Sequence, residues 1–435
     1  MRQLFPALLG LFLLLPASLA RAEVPRDGLT RDLILGWERM ALLLTRHTPT
    51  YSPPVASRTI GYLGVTGYEV VASGRPDQMQ SLAGQMNGLT ALPARPQGVD
   101  DAVAADAAMG AVVTALFAHT GPTGQRALKA MTAKNAAKAA EGLQPAAVEA
   151  SAGYGRAVGQ AILGWAATDG GDRIDNMGFP DGYTPNPEPG HWVPTSHIAL
   201  QQAPLLPGWG KNRPFVLKSG ADCGLPPPPA WSTDPASPAY IQAREVYDTS
   251  RSLTPDQKAM ARFWSDDAML SVTPPGHWLS IAMQVIEERD VPLPNAVDAL
   301  ARLGAASADA FIGCWNAKFQ YDFIRPITYI NQTIDPKWTP LLITPPFPEY
   351  PSGHSTLSGA AAAVLTDVWG AEPFTDHTGE RDGLAPRSFP NFEAAAKEAA
   401  LSRLYGGIHF RAAIEQGLAQ GQCIAKAVRA LRTLK

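Results

Sequence analysis

The sequence is sparing with the residues that usually announce a chemistry. Its three cysteines, Cys223, Cys314 and Cys423, form no CxxC pair and no metal-ligand spacing, which removes zinc ribbons and dithiol redox chemistry. An oxidising compartment would allow one disulfide and leave an odd thiol. Cys314 and Cys423 each fall in a helical pattern and are expected to be small buried residues. An excess of one charge is lacking too. A net charge of -3 gives no electrostatic footing for nucleic acid or an anionic membrane. The eight histidines, His47, His119, His191, His197, His277, His354, His377 and His409, include no HExxH, HxH or Cys/His cluster, so a zinc site has little support. No GxSxG, Walker or GxGxxG element stands in context. Asp169, Asp172 and Asp175 lack the order of a calcium loop and read as a polar turn. Strand patterns are scarce as well. Only residues 59–72 alternate, and their glycines argue against a strand.

Long apolar runs are confined to the start of the chain. Arg2, the apolar stretch Leu4–Ala20 and the small-x-small site Ala20-Arg21-Ala22 read as an export signal over 1–22. The stretch is short and broken by Pro6 and Pro16, and no later segment reaches 18 uninterrupted apolar residues. The mature protein is expected to be exported, periplasmic or secreted, with no transmembrane segment.

What is present is helical periodicity and a core-forming composition, 46% hydrophobic and 17% charged. Apolar residues recur three and four apart over 28–46, 99–118, 124–141 and 145–168. From Asp169 to Tyr240 the chain turns to Pro, Gly, Asp and Asn, and so long a loop is usually functional or wraps a surface. Helical signals resume at Thr254-Pro255, an N-cap with proline at N1, and continue through 276–289, 294–320, 354–369, 391–405 and 411–432. The fold expected is all-α, two packed helical bundles. Its parts are an N-terminal helical region at 23–168, connecting loops at 169–240 and a C-terminal helical domain at 241–435.

Chemistry gathers in the C-terminal domain. "WNAKFQYDFIRP" sets Lys318 and Arg325 seven residues apart, two turns and hence one face of a helix that Pro326 should end. "PSGH" puts Ser352 and Gly353 ahead of His354 at a helix start, where backbone N–H groups and the dipole favour an anion. "LSRLYGGIHF" supplies Ser402, Arg403 and His409, with Gly406 and Gly407 able to break the helix and swing the histidine back. Cations, peptide donors and two histidines together suit a tetrahedral oxyanion.

The three blocks, Lys-x6-Arg-Pro, Pro-Ser-Gly-His and Ser-Arg-x5-His, resemble the signature shared by vanadium-dependent haloperoxidases and type 2 phosphatidic acid phosphatases. They lie 24 and 47 residues apart. The resemblance implies that Lys318, Arg325 and Arg403 bind the equatorial oxygens of vanadate or a competing phosphate, aided by Ser352 and Gly353. His409 would be the axial ligand to vanadium, or the nucleophile of a phosphatase, and His354 the acid–base residue. Trp315 and Phe347 resemble the aromatic halide pocket of chloroperoxidases; algal bromoperoxidases tend to carry histidine at the position of Phe347. Asp266 or Asp267 would be the carboxylate that pairs with a site arginine. Many relatives have Asp four residues after the last histidine, to orient it. Ala413 stands there, so a backbone carbonyl or another group must take that role.

Length separates the two activities. Class A acid phosphatases are much shorter, and lipid phosphatases carry several transmembrane helices. The resemblance therefore implies an exported haloperoxidase using vanadate, hydrogen peroxide, halide and a small organic acceptor, with Lys318 polarising the peroxide. The alternatives are an acid phosphatase with a phosphohistidine intermediate and a non-catalytic oxyanion-binding protein.

Overall fold

The computed structural model describes residues 26–435, so the export signal expected over 1–22 lies outside the described residues. Helices α1 (Arg26–His47), α2 (Pro53–Ser73), α3 (Asp101–Leu116), α4 (Pro122–Ala140) and α5 (Pro145–Ala166) come first. Three of them, α2, α4 and α5, carry proline in the first turn, where its missing N–H costs nothing. Residues 59–72, the one alternating stretch, lie inside α2, which is buried along almost its whole length. A helix sealed on every side has no polar face to reveal its period.

Irregular chain with short 3-10 turns follows, then α6 (Pro238–Arg251), α7 (Pro255–Phe263), α8 (Thr273–Glu288), α9 (Leu293–Tyr321), α10 (Pro326–Thr333) and α11 (Gly353–Trp369). A two-stranded antiparallel hairpin, β1 (Phe374–Asp376) and β2 (Arg387–Phe389), pairs Phe374 with Phe389. Helices α12 (Phe392–Tyr405) and α13 (Arg411–Arg429) end the chain. The fold is all-α. Thr254 makes a full capping box with Gln257 at the start of α7. Helices α6 and α10 fall outside the periodic segments, being short and opened by prolines that read as loop.

Helices α1, α3, α4 and α5 pack with one another, and α9, α11, α12 and α13 form a second group; α2 lies along α9 and joins the two. One apolar cluster runs through both groups. Helices α11 and α13 approach closely because Gly421 faces the carbonyl of Thr356, leaving no room for a Cβ. The cysteine reading needs correction. Cys423 is not a buried residue of α13: it lies on an exposed face of that helix, disulfide-bonded to Cys223 in the connecting loops, while Cys314 is free and buried as expected. No helix among the described residues is long and apolar enough to cross a membrane.

Candidate active site

Lys318 occupies the last turn of α9, but Arg325 is not on that helix. At Asp322 the backbone turns left-handed, φ 45, and Arg325 is the N-cap of α10. Pro326 therefore opens a helix instead of closing one. The two cations still converge, because both side chains reach the 347–351 loop. The ammonium of Lys318 donates to the carbonyls of Pro348, Glu349 and Pro351 at 2.8, 3.0 and 2.5 Å. Burial pulls Lys318 down to about 7, yet three acceptors require three N–H bonds, which only the ammonium offers. Arg325 donates from Nε to Phe347 O and from Nη1 to Ile408 O, at 2.8 and 2.9 Å. Its Nη2 is buried without a partner.

Arg403, in the last turn of α12, donates to Ser402 Oγ and to Ala261 O. Burial lowers both Arg325 and Arg403 to about 10, still fully charged at neutral pH. After Arg403 the chain must reverse. Gly407 does this at φ +75, packed so closely that a Cβ would lie 2.9 Å from that of Pro340. His409 is thereby delivered beside Arg325.

The His409 ring shows its tautomer by its partners. Arg325 Nη1 lies 3.3 Å from Nε2, and an arginine can only donate, so Nε2 holds the lone pair. Nδ1–H then donates to Glu349 Oε1 at 2.8 Å. Burial, followed by the charges of Arg325, Lys318, Arg403 and His354, pushes this histidine well below its ordinary range and keeps it neutral. Glu349 is the orienting group that Ala413 does not supply. It is fully buried, and the same oxygen accepts from the Phe410 N–H at 2.8 Å. Burial raises its carboxyl to about 7 against the pull of Arg325. Sequence reasoning missed Glu349 because 60 residues separate the two partners. Its one signal was a carboxylate inside an otherwise apolar "PPFPEYP".

The Pro-Ser-Gly-His turn sits at the start of α11 as expected. Ser352 is the N-cap, its hydroxyl accepting from the Ser355 N–H, while its own N–H is spent on Ala413 O. The N–H groups of Gly353 and His354 have no acceptor among the described residues. His354 Nε2 is buried without a hydrogen bond, and burial, then Arg403, lowers the ring to about 4. Trp315 and Phe347 meet at 4.9 Å between ring centroids, and Lys318 Nζ lies 5.1 Å from the Phe347 centroid. Trp315 also donates to Leu205 O at 3.1 Å, so the 169–240 loops help wall the site.

A further expectation fails. Neither Asp266 nor Asp267 forms an ion pair with an arginine. Asp266 instead bonds His277 at 3.0 Å and faces His354 at 3.7 Å, and Asp267 affects Arg403 only through the field. Among the described residues, Lys318, Arg325 and Arg403 have no carboxylate at ion-pair distance. The spare donors on Arg325, Gly353 and His354 and the His409 Nε2 lone pair, met only by Arg325 Nη1 at 3.3 Å, fit a tetrahedral oxyanion with one nitrogen ligand. No group of three histidine, cysteine or carboxylate side chains that could hold a metal ion converges among the described residues.

The family model for the VCPO second helical-bundle domain matches residues 298–434. The vanadium chloroperoxidase of Curvularia inaequalis is 30% identical over 168 residues, which is 33% of this chain and 27% of that protein. The crystal structure of a bacterial vanadium-dependent iodoperoxidase is 36% identical, covers 94% of this chain and 98% of its own, and superposes at a TM-score of 0.86. The chain belongs to the vanadium-dependent haloperoxidase family. Apo and holo bacterial vanadium-dependent chloroperoxidases share the haloperoxidase fold at a TM-score of 0.64 and 16% identity. The match to the curated haloperoxidase thus spans about a quarter of that protein's length.

Proposed function

We propose that this protein is a vanadate-dependent haloperoxidase that oxidises halide with hydrogen peroxide to hypohalous acid or its equivalent. The observation that carries the reading is the His409 ring. Its Nε2 lone pair is fixed by Glu349 at Nδ1 and opens among three buried cations that lack carboxylate partners. Vanadate, when bound, would supply a Lewis-acidic centre that activates peroxide toward the halide.

The protein's own groups would do the rest. Arg325, Arg403 and Lys318 would bind the oxygens of vanadate, helped by the Ser352 hydroxyl and by the N–H groups of Gly353 and the α11 start. Lys318 would also polarise the peroxide, giving up one of its three loop carbonyls to do so. His409 would hold vanadate through its Nε2 lone pair. His354, held neutral near pH 7, can accept a proton from peroxide. Trp315 and Phe347 would form the apolar wall met by the halide. These groups are preorganised in a buried site, where fixed dipoles and charges act strongly.

A phosphatase reading has one observation in its favour. Glu349 gives His409 the oriented, basic Nε2 that a phosphohistidine mechanism needs. The two activities separate in one experiment. Purified protein with vanadate, peroxide and chloride, bromide or iodide should halogenate monochlorodimedone, and His409→Ala should not. Failure with all three halides, beside good hydrolysis of p-nitrophenyl phosphate, would replace this reading with the phosphatase one. Export is part of the proposal, and a disulfide suits an oxidising compartment.

A further inference from the structure

A second buried array touches the site and has no role in the chemistry above. His277, the fifth residue of α8, lies against Trp264 with ring centroids 4.5 Å apart. Each of its nitrogens meets a carboxylate. Nδ1 lies 3.0 and 3.1 Å from the two oxygens of Asp266, and Nε2 lies 2.9 Å from Asp376 Oδ2. A neutral imidazole has one N–H and one lone pair, so it satisfies one ionised carboxylate and repels the other. Two such acceptors require the imidazolium. The three side chains are 5, 7 and 0% exposed. Burial opposes the charged ring, but Asp266 and Asp376 outweigh it and raise His277 to about 10. Asp376 is held in turn by the N–H and hydroxyl of Thr378.

Asp266 is the member that reaches the active site. Its backbone is left-handed, φ 49, a conformation an L residue keeps only where its surroundings hold it. Its Oδ2 lies 3.7 Å from His354 Nε2, the atom with no hydrogen bond. Arg403 on α12 and Asp267 next in sequence are the other charges whose fields reach Asp266 or His354.

We propose that His277, clamped as a charged ring between Asp376 and Asp266, is a positioning residue for His354. It keeps Asp266 ionised and aimed at His354 Nε2, which makes that nitrogen the N–H and leaves the Nδ1 lone pair to take a proton. When Nδ1 gains that proton the ring becomes cationic, and Asp266 faces the new charge. His277 keeps its own proton throughout, and none passes along the array. The logic is that of a buried carboxylate fixing a histidine tautomer, with a second histidine securing the carboxylate. The proposal rests on His354 being the proton acceptor of the haloperoxidase reading.

The test uses the full chain without vanadate, labelled with 15N at histidine, so that nitrogen shifts report charge and tautomer ring by ring. His354→Gln and the double variant H277Q/D376N assign the two signals. At pH 7 the wild type should show His277 doubly protonated and His354 neutral with its proton on Nε2. His277→Gln alone leaves a carboxylate unpaired and could unfold the region. The double variant H277Q/D376N lets the two amides bond each other and removes both charges. In that folded variant His354 should populate both tautomers. Its kcat for halide oxidation should fall about tenfold or more, the range seen when an outer partner of a histidine is lost. The acidic limb of the pH profile should move, and KM for halide should stay within about twofold, since the halide wall is untouched. A neutral wild-type His277, or a folded double variant with an unchanged His354 tautomer and pH profile, overturns the proposal. Full turnover in His354→Ala would overturn the proton-acceptor assignment instead, and the spectra would still decide whether His277 positions the ring.

Discussion

Arg58 and Arg325 are both buried arginines, yet their surroundings differ in kind. Arg58, on α2, donates to Asp169 from Nε and Nη2 at 2.6 and 3.2 Å, and Tyr62 adds a hydroxyl to the same carboxylate at 2.7 Å. The pair is self-contained. Arg325 reaches carbonyl oxygens and a histidine nitrogen, keeps one nitrogen unpartnered, and has Arg403 and Lys318 in the same pocket. A buried charge without its counter-ion is costly unless something supplies the opposite charge. The α2 cation is part of the architecture, and the C-terminal cluster holds a place for an anion.

Breaking each side of this comparison gives different losses. Arg58→Met should cost about 3–5 kcal/mol of stability by leaving Asp169 buried and unpaired. It should leave phosphate affinity unchanged, as denaturant midpoints and calorimetry would record. Arg403→Ala should do the reverse. Losing charge-assisted donors worth about 1.5–3 kcal/mol weakens oxyanion binding about 10- to 150-fold, with a smaller stability loss than Arg58→Met.

Glu349→Gln sharpens the contrast further. Its amide oxygen can still accept from His409 Nδ1, so the tautomer survives while the charge goes. Vanadate affinity and turnover should drop about 10- to 100-fold, with Glu349→Ala lower still in the same assay. Saturating the site should stabilise the fold. Phosphate at 100 times its Kd adds about 2.7 kcal/mol, read as a rise in melting temperature that Arg403→Ala loses.

The remaining contrast is in the pH dependence of stability. His354 is lowered from 6.5 to about 4 in the fold. Between those values the unfolded chain takes a proton that the folded ring refuses, so stability falls on acidification through that window. His277 is raised from 6.5 to about 10. Its contribution is complete below 6.5 and is lost as pH rises toward 10. Denaturant midpoints against pH should therefore decline on both sides of neutrality, and H277Q/D376N should flatten the alkaline side.

The sequence made the residue types of the site legible, and their geometry much less so. Lys318, Arg325, Arg403, His354 and His409 stand in recognisable blocks, and the helices carrying them have clear periodicity. Placing Lys318 and Arg325 on one helical face failed at Asp322, whose left-handed backbone ends α9 three residues before the arginine. An αL stop at aspartate has no sharp local signal. Glu349 and the Asp266–His277–Asp376 array were hidden for another reason. Their partners are 60, 11 and 99 residues away, and one chain read alone does not pair distant carboxylates with histidines. The connecting loops read as loops, but their contact with Trp315 through Leu205 O depends on tertiary packing.

The most direct test of the central claim is a calorimetric titration of phosphate-free protein with orthovanadate. One site per chain is expected, bound about 10- to 150-fold more weakly in Arg403→Ala and at wild-type strength in Arg58→Met wherever that variant is folded. No saturable binding, or binding indifferent to Arg403, would contradict it.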